Sequence, residues 1–226
     1  GFTNITAAVL LWIFLKPSKE HKPVKNVVTP SADQLTHSAY KDKVYLWFIF
    51  LTILFATCFF QIFSTLTAYF KNELYFSSSF IGMLMALNGL VITFIEMVLV
   101  YKLEGRRSNT YYIFIGVFLC SIAYLMLNVF EIDHFAAIIM ILVVTFGEIM
   151  SMPFMNSFWI ARSSVNNRGQ YAGLFTIAWS IAHTTGPLLG SQLAEYSGFS
   201  TLWWAVGGLC FVTAIGFFAL HKKLAN

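Results

Sequence analysis

Charge is what this sequence has least of. Of 226 residues, 11% are Asp, Glu, Lys or Arg and 58% are hydrophobic, against roughly 25% and 45–50% in an ordinary soluble domain. A soluble fold of this length with so few charges lacks the polar surface to cover itself. A soluble globular enzyme, a disordered chain and a nucleic-acid-binding domain are therefore excluded. Cysteine is scarce as well. Cys58, Cys120 and Cys210 are far apart and embedded in apolar runs, so they read as packing residues rather than a disulfide set. Phosphate-cradling glycine loops, metal-ligand spacings and paired catalytic acids are missing. The sequence thus carries no cofactor or metal motif and no enzymatic signature.

What the sequence has in abundance is long apolar runs. The first, Phe2 to Leu15, ends at Lys16-Pro17 and as a helix reaches roughly 22 Å, short of a hydrocarbon core of about 30 Å. No basic region precedes it and no small-residue cleavage site follows, so it is not a signal peptide. It reads as the end of a spanning helix. Residues 16–43 follow as a polar linker with Pro17, Pro23, Pro30 and six lysines, and with a short amphipathic piece near Gln34 to Tyr40. Six runs of spanning length come next, at Val44–Phe70, Phe80–Tyr101, Tyr111–Phe130, Phe135–Ile160, Tyr171–Ala194 and Thr201–Leu220. They are continuous rather than alternating, which excludes membrane strands. The expected fold is an all-α membrane protein, a six-transmembrane-helix bundle over residues 44–222.

Charge placement sets the orientation. If the six runs alternate sides, the linker, the loops at Lys102–Arg107 and Arg162–Arg168 and the Lys222-Lys223 end share one face. That face holds all but one of the 14 Lys and Arg residues, so it is expected to be cytoplasmic. The other face holds Lys71 with Glu73, Glu131, Asp133 and Glu195. The linker lysines are also candidates for contact with anionic lipid headgroups. Trp12, Trp47 and Trp159 near the basic side, and Trp203 and Trp204 near the other, are expected to form interfacial belts. Trp179 falls mid-span, where its indole N–H needs a partner or a cavity.

Several polar residues sit where a bilayer disfavours them. Glu148 is at the centre of its run, and an ionised carboxylate there is costly by about 2.5–3.5 kcal/mol on insertion scales. It reads as a reversible proton carrier, or else as a hydrogen-bonded tie between helices, with His183 or Gln61 as expected partners. Glu96 lies near the basic end of its run, six residues before Lys102. An ion pair to Lys102, Arg106 or Arg107 is expected there, with proton handling as the sharper alternative. Thr57, Gln61, Ser64 and Thr65 recur at helical offsets on the first complete run, and Thr176, Ser180, His183 and Thr184 repeat the spacing on the fifth. Both stripes are expected to face a shared cavity, although interhelical hydrogen bonding would produce the same pattern. Gly82, Ala86 and Gly89 form a small face expected to pack closely, while Gly186-Pro187 with Gly190 interrupt the fifth run.

These residues resemble the C-terminal half of a major facilitator superfamily transporter, and the resemblance covers nearly the whole chain. Leu87-Asn88-Gly89-Leu90 with Glu96 is similar to the eighth helix of the twelve-helix drug:proton antiporters. Gly147-Glu148-Ile149-Met150 with Pro153 is similar to their tenth helix. Arg168-Gly169-Gln170-Tyr171-Ala172-Gly173 and Gly186-Pro187-Leu188-Leu189-Gly190 are similar to the tenth loop and eleventh helix. Lys102-Leu103-Glu104-Gly105-Arg106-Arg107 resembles a degenerate copy of a cytoplasmic Asp-Arg-x-Gly-Arg-Arg loop, with Lys102 at the Asp position.

The resemblance implies alternating access between two six-helix halves, with residues 1–15 ending the sixth helix and an N-terminal six-helix half as partner. It implies proton coupling at Glu148 and Glu96, and a cytoplasmic gate at Gly105, Arg106 and Arg107. It also implies a substrate cavity among Thr57, Gln61, Thr65, Asn88, Met152, Trp179 and His183. The expected function is proton-coupled export of drug-like or amphipathic small molecules across a plasma or bacterial inner membrane. A proton-coupled nutrient symporter and a non-transporting membrane receptor or scaffold are the alternatives. No nucleic-acid partner is expected.

Overall fold

The computed structural model describes residues 38–225, and within them every regular element is helical. The first apolar run and nearly all of the linker, Trp12 included, lie outside the described residues. Helices are α1 (Lys43–Phe59), α2 (Thr65–Asn72), α3 (Ser78–Leu103), α4 (Asn109–Val129), α5 (His134–Arg162) and α6 (Arg168–Ala225), with 3-10 turns at Ala39–Lys41 and Phe60–Ile62. Side chains begin them where the sequence places a short acceptor. Asp42 accepts from the Val44 and Tyr45 amides, Ser77 from Phe80 and Asp133 from Ala136.

Within α6, Gly198 is non-helical, at φ 81° and ψ 162°. That region is open essentially to glycine alone, so one residue turns the chain where a loop of several was expected. The two arms, 168–197 and 199–225, are each long enough to cross a bilayer. With α1–α2, α3, α4 and α5, the described residues make six apolar stretches long enough to cross a bilayer, and the chain is a multi-pass membrane protein.

The first pass is not the single helix expected over Val44–Phe70. It breaks between Phe59 and Thr65, where Ser64 sits at φ −114°, ψ −84°. Neither proline nor glycine causes this. Side chains take up the backbone acceptors instead: Tyr124 Oη donates to the Cys58 carbonyl at 2.7 Å, Ser64 Oγ to Phe60 at 3.0 Å and Thr67 Oγ1 to Ser64 at 2.8 Å.

Packing is organised around α4, which lies against both α5 and α6, while α1 runs along α6 and α3 touches mainly α5. Close approach depends on glycine. Gly116 of α4 faces Gly147 of α5, Gly207 meets Leu125, and Gly216 meets Leu51. The expected small face Gly82–Ala86–Gly89 is exposed, with nothing within 4 Å of either glycine position. It does not supply close packing within this bundle. Trp203 also departs from expectation. It is fully buried and stacks on Tyr124 and Phe199, so it belongs to the core, whereas Trp204 and Trp47 are exposed as a belt requires. Exposed side chains on α4 and the second arm of α6, such as Phe118, Phe211 and Ile215, are apolar, as lipid-facing helices demand.

Candidate functional site

Glu148 sits midway along α5 and does not meet His183 or Gln61. Its partner is Asn88 of α3, whose Nδ2 donates to Glu148 Oε2 at 3.2 Å and to Thr145 Oγ1 at 2.9 Å. Thr145 in turn donates to the Ile141 carbonyl. Asn88 is buried, Glu148 half-buried. A neutral amide and a carboxyl therefore join α3 to α5, its main neighbour in the bundle. One turn further on, Ser151 Oγ donates to the Gly147 carbonyl at 2.7 Å, just before Pro153, which withdraws an amide from the α5 ladder. Met152 is half-buried beside it. Glu96 makes no ion pair with Lys102, Arg106 or Arg107, contrary to expectation. Among the described residues the one salt bridge lies elsewhere. Glu96 lies two helical turns from Asn88 on α3, within electrostatic range of Glu148.

The polar stripe on the first pass has a different meaning from the one expected. Gln61 is buried, and its Nε2 donates to the Gly186 carbonyl at 2.7 Å and to Thr57 O at 3.1 Å. Thr65 Oγ1 donates to Gln61 Oε1 at 2.7 Å. A Cβ at Gly190 would collide with the Gln61 amide, and one at Gly186 would stand 3.0 Å from Thr57 O. The break between α1 and α2 is thus clamped onto the Gly186-Pro187 segment of α6. Gln61 is a tie, not a group aimed into open space.

The expected cavity residues do not converge on a single void. Thr65 lines a pocket of about 540 Å³ between α2 and the bend of α6, with Ser64, Pro187, Ser191, Glu195 and Phe199. Thr57 and Gln61 line a separate one of about 120 Å³. Trp179 is wedged among Phe59, Phe60 and Phe175, and its buried Nε1 has no hydrogen-bond partner among the described residues. His183 is exposed, with its ring edge-on to Phe60.

On the basic face, Arg107 stacks its guanidinium over Tyr111, 4.8 Å from the ring centre. Gly105 turns the chain at φ +75° after α3, and Arg106 is exposed. A second cluster here escaped the sequence reading. Arg162, at the end of α5, forks onto Asp42 through Nε–Oδ2 and Nη2–Oδ1, the latter at 2.9 Å. Tyr171 Oη donates to Asp42 Oδ2 at 2.8 Å and Tyr45 Oη to the Tyr171 carbonyl at 2.6 Å. Gln170 Oε1 accepts from Ser38 Oγ and the Ala39 amide. This clasp binds the ends of α1, α5 and α6 and draws Ser38–Asp42, read as linker, into the packed unit. An acidic residue just ahead of an apolar run was the available signal.

Burial works to raise the Asp42 pKa. Hydrogen bonds from Arg162, the Tyr45 amide and Tyr171, with the Arg162 charge, outweigh it and hold the carboxyl below its usual value. A depressed pKa makes the clasp's contribution to stability complete above the unfolded carboxylate value of about 3.9, and the contribution is lost as pH falls through the folded value. Asp42→Ala removes a cap and leaves Arg162 without its partner, so it should destabilise by about 2–3 kcal/mol at neutral pH. The gap from wild type should narrow on acidification. Thermal melts of the detergent-solubilised protein that overlay at pH 7 would show the clasp to be inconsequential.

No curated protein matches the chain. The family model described as Major Facilitator Superfamily matches residues 1–187, through four complete passes and into the fifth as far as the proline of the α6 clamp. The match covers well over half of the sequence and agrees with the helical bundle and its intramembrane polar ties. The chain belongs to the Major Facilitator Superfamily.

Proposed function

We propose that this secondary transporter is proton-coupled and exports drug-like or amphipathic small molecules, with Glu148 as the proton carrier. The observation that carries the reading is the Asn88–Glu148 hydrogen bond. An ionised Glu148 accepts from Asn88 and ties α3 to α5, whereas protonation removes the charge that strengthens this contact. Proton binding then changes the relative stability of two helix arrangements, which is what coupling requires. Glu96 tunes this by repulsion from the basic side, and Arg106 and Arg107 after the Gly105 turn hold the inward gate in this reading. The Trp179 N–H, unpartnered among the described residues, with His183, Met152 and the hydroxyls of Thr57 and Thr65, supplies an aromatic and weakly polar lining for substrate. Gln61 contributes by fixing the helix break that such a lining borders.

The exposed small face Gly82–Ala86–Gly89 supports an N-terminal six-helix half as the seat for α3. The distribution of Lys and Arg supports a cytoplasmic basic face, in a plasma or bacterial inner membrane. The test is proton movement across liposomes containing the full-length transporter when a substrate gradient is imposed. Protons moving opposite to substrate support export by antiport, and co-movement would replace it with symport. Absence of any substrate-dependent proton flux, with the protein folded, would leave a receptor or scaffold.

A further inference from the structure

The ends of α1 and α6 enclose a cleft of about 260 Å³ on the basic face, lined by Lys43, Val44, Trp47, Ala219, Leu220 and Lys223. Lys43 and Trp47 are one turn apart on α1, and Lys223 lies in the last turn of α6. Both lysines are exposed, and neither has an ion-pair partner among the described residues. The adjacent carboxylate, Asp42, is engaged instead by Arg162, Tyr171 and two backbone amides. The adjacent Lys222 is turned away, with its ammonium over the Phe218 ring. Two uncompensated cations thus face one opening whose floor is apolar and whose side is an indole, 48% exposed.

We propose that this cleft binds the phosphodiester headgroup of an anionic phospholipid. The lysines receive the phosphate, the Trp47 indole sits at the glycerol level, and the acyl chains continue along the apolar sides of α1 and the second arm of α6. Position selects a lipid over a free anion. The cleft opens where a bilayer headgroup layer meets the helix ends, and Trp47 is the residue type that favours this layer. Each lysine removed should weaken the interaction roughly fivefold. The inference is independent of proton coupling.

Native mass spectrometry of the full-length transporter tests it by titrating dioleoyl phosphatidylglycerol against dioleoyl phosphatidylcholine. Wild type should prefer the anionic lipid, and the Lys43→Gln/Lys223→Gln double variant should lose about twenty-five-fold for it without change for the zwitterionic one. The Arg/Arg double variant should retain the preference, and so should Lys71→Gln on the opposite face. Unchanged melting temperatures confirm that folding is intact. A Gln/Gln variant that still prefers phosphatidylglycerol would overturn the site. Displacement of the lipid by excess inorganic phosphate would assign it to free anions instead. Preference that appears only in a Glu20→Gln/Asp33→Asn variant would show that the chain's own acidic residues fill the cleft.

Discussion

The full-length transporter carrying Glu148→Gln is expected to fold, to exchange substrate across a membrane at equal pH, and to lose transport driven by a pH gradient. The amide of glutamine preserves an oxygen acceptor for Asn88 Nδ2, which lies 3.2 Å from Glu148 Oε2. The α3–α5 tie therefore survives, along with the Asn88–Thr145 bond. What disappears is the charge that a proton would cancel, and with it the difference between two protonation states that, in the proposed mechanism, couples proton flow to helix arrangement. Glu148→Asp keeps a carboxyl but withdraws it by one methylene from Asn88, so partial activity with a displaced pH profile is expected. Asn88→Ala should move that profile too, because it removes the donor that favours the ionised form. Glu96→Gln removes only a neighbouring charge and should leave coupling detectable. Wild-type rates of proton-driven transport from Glu148→Gln in liposomes would reduce the residue to packing.

Much of the architecture was legible because a membrane imposes it. Run length and the rarity of charge fix helices in the hydrocarbon region, and the described passes follow that apart from the break at residues 60–64. The details that escaped are those in which side chains compete with the backbone. Residues 60–64 contain neither proline nor glycine, so periodicity merged α1 and α2 into one span and read the polar side chains as a cavity stripe. Their hydroxyls and the Gln61 amide instead satisfy carbonyls at the break and the facing Gly186 carbonyl. The position of Trp203 near a helix end points to the interface, yet only the tertiary fold places Tyr69, Tyr124 and Phe199 around it. The chemistry at Glu148 was legible as an anomaly, a carboxyl in an apolar run. Its partner was not, since Asn88 is 60 residues away and no local pattern links them.

Gly116→Ala should be among the most damaging single-methyl additions in the bundle. A Cβ at this position would stand 2.5 Å from the Gly147 carbonyl oxygen, 2.7 Å from the Ser151 nitrogen and 2.8 Å from the Met150 carbonyl carbon. All three are backbone atoms of α5, so no rotamer change relieves the clash and the two helices must part. Overpacking of this kind costs about 1–3 kcal/mol, and more where neighbours cannot yield. The neighbours here are poorly able to yield, since a Cβ on the facing Gly147 would itself meet Cys120 Sγ and the Gly116 carbonyl. The thermal midpoint should fall accordingly, and Gly116→Val should fail to yield folded protein. Gly89→Ala is the control, with nothing within 4 Å of its added methyl and a helix propensity gain approaching 1 kcal/mol. It should be neutral or stabilising for this bundle, so any loss it causes in the full transporter would arise from whatever seats on the exposed face of α3. Displacing α5 also moves Glu148, next in sequence to Gly147, relative to Asn88. Gly116→Ala should therefore weaken proton coupling in whatever fraction still folds. A variant that melts with wild type and couples normally would mean that α4 and α5 cross less tightly than the Gly116–Gly147 contact indicates.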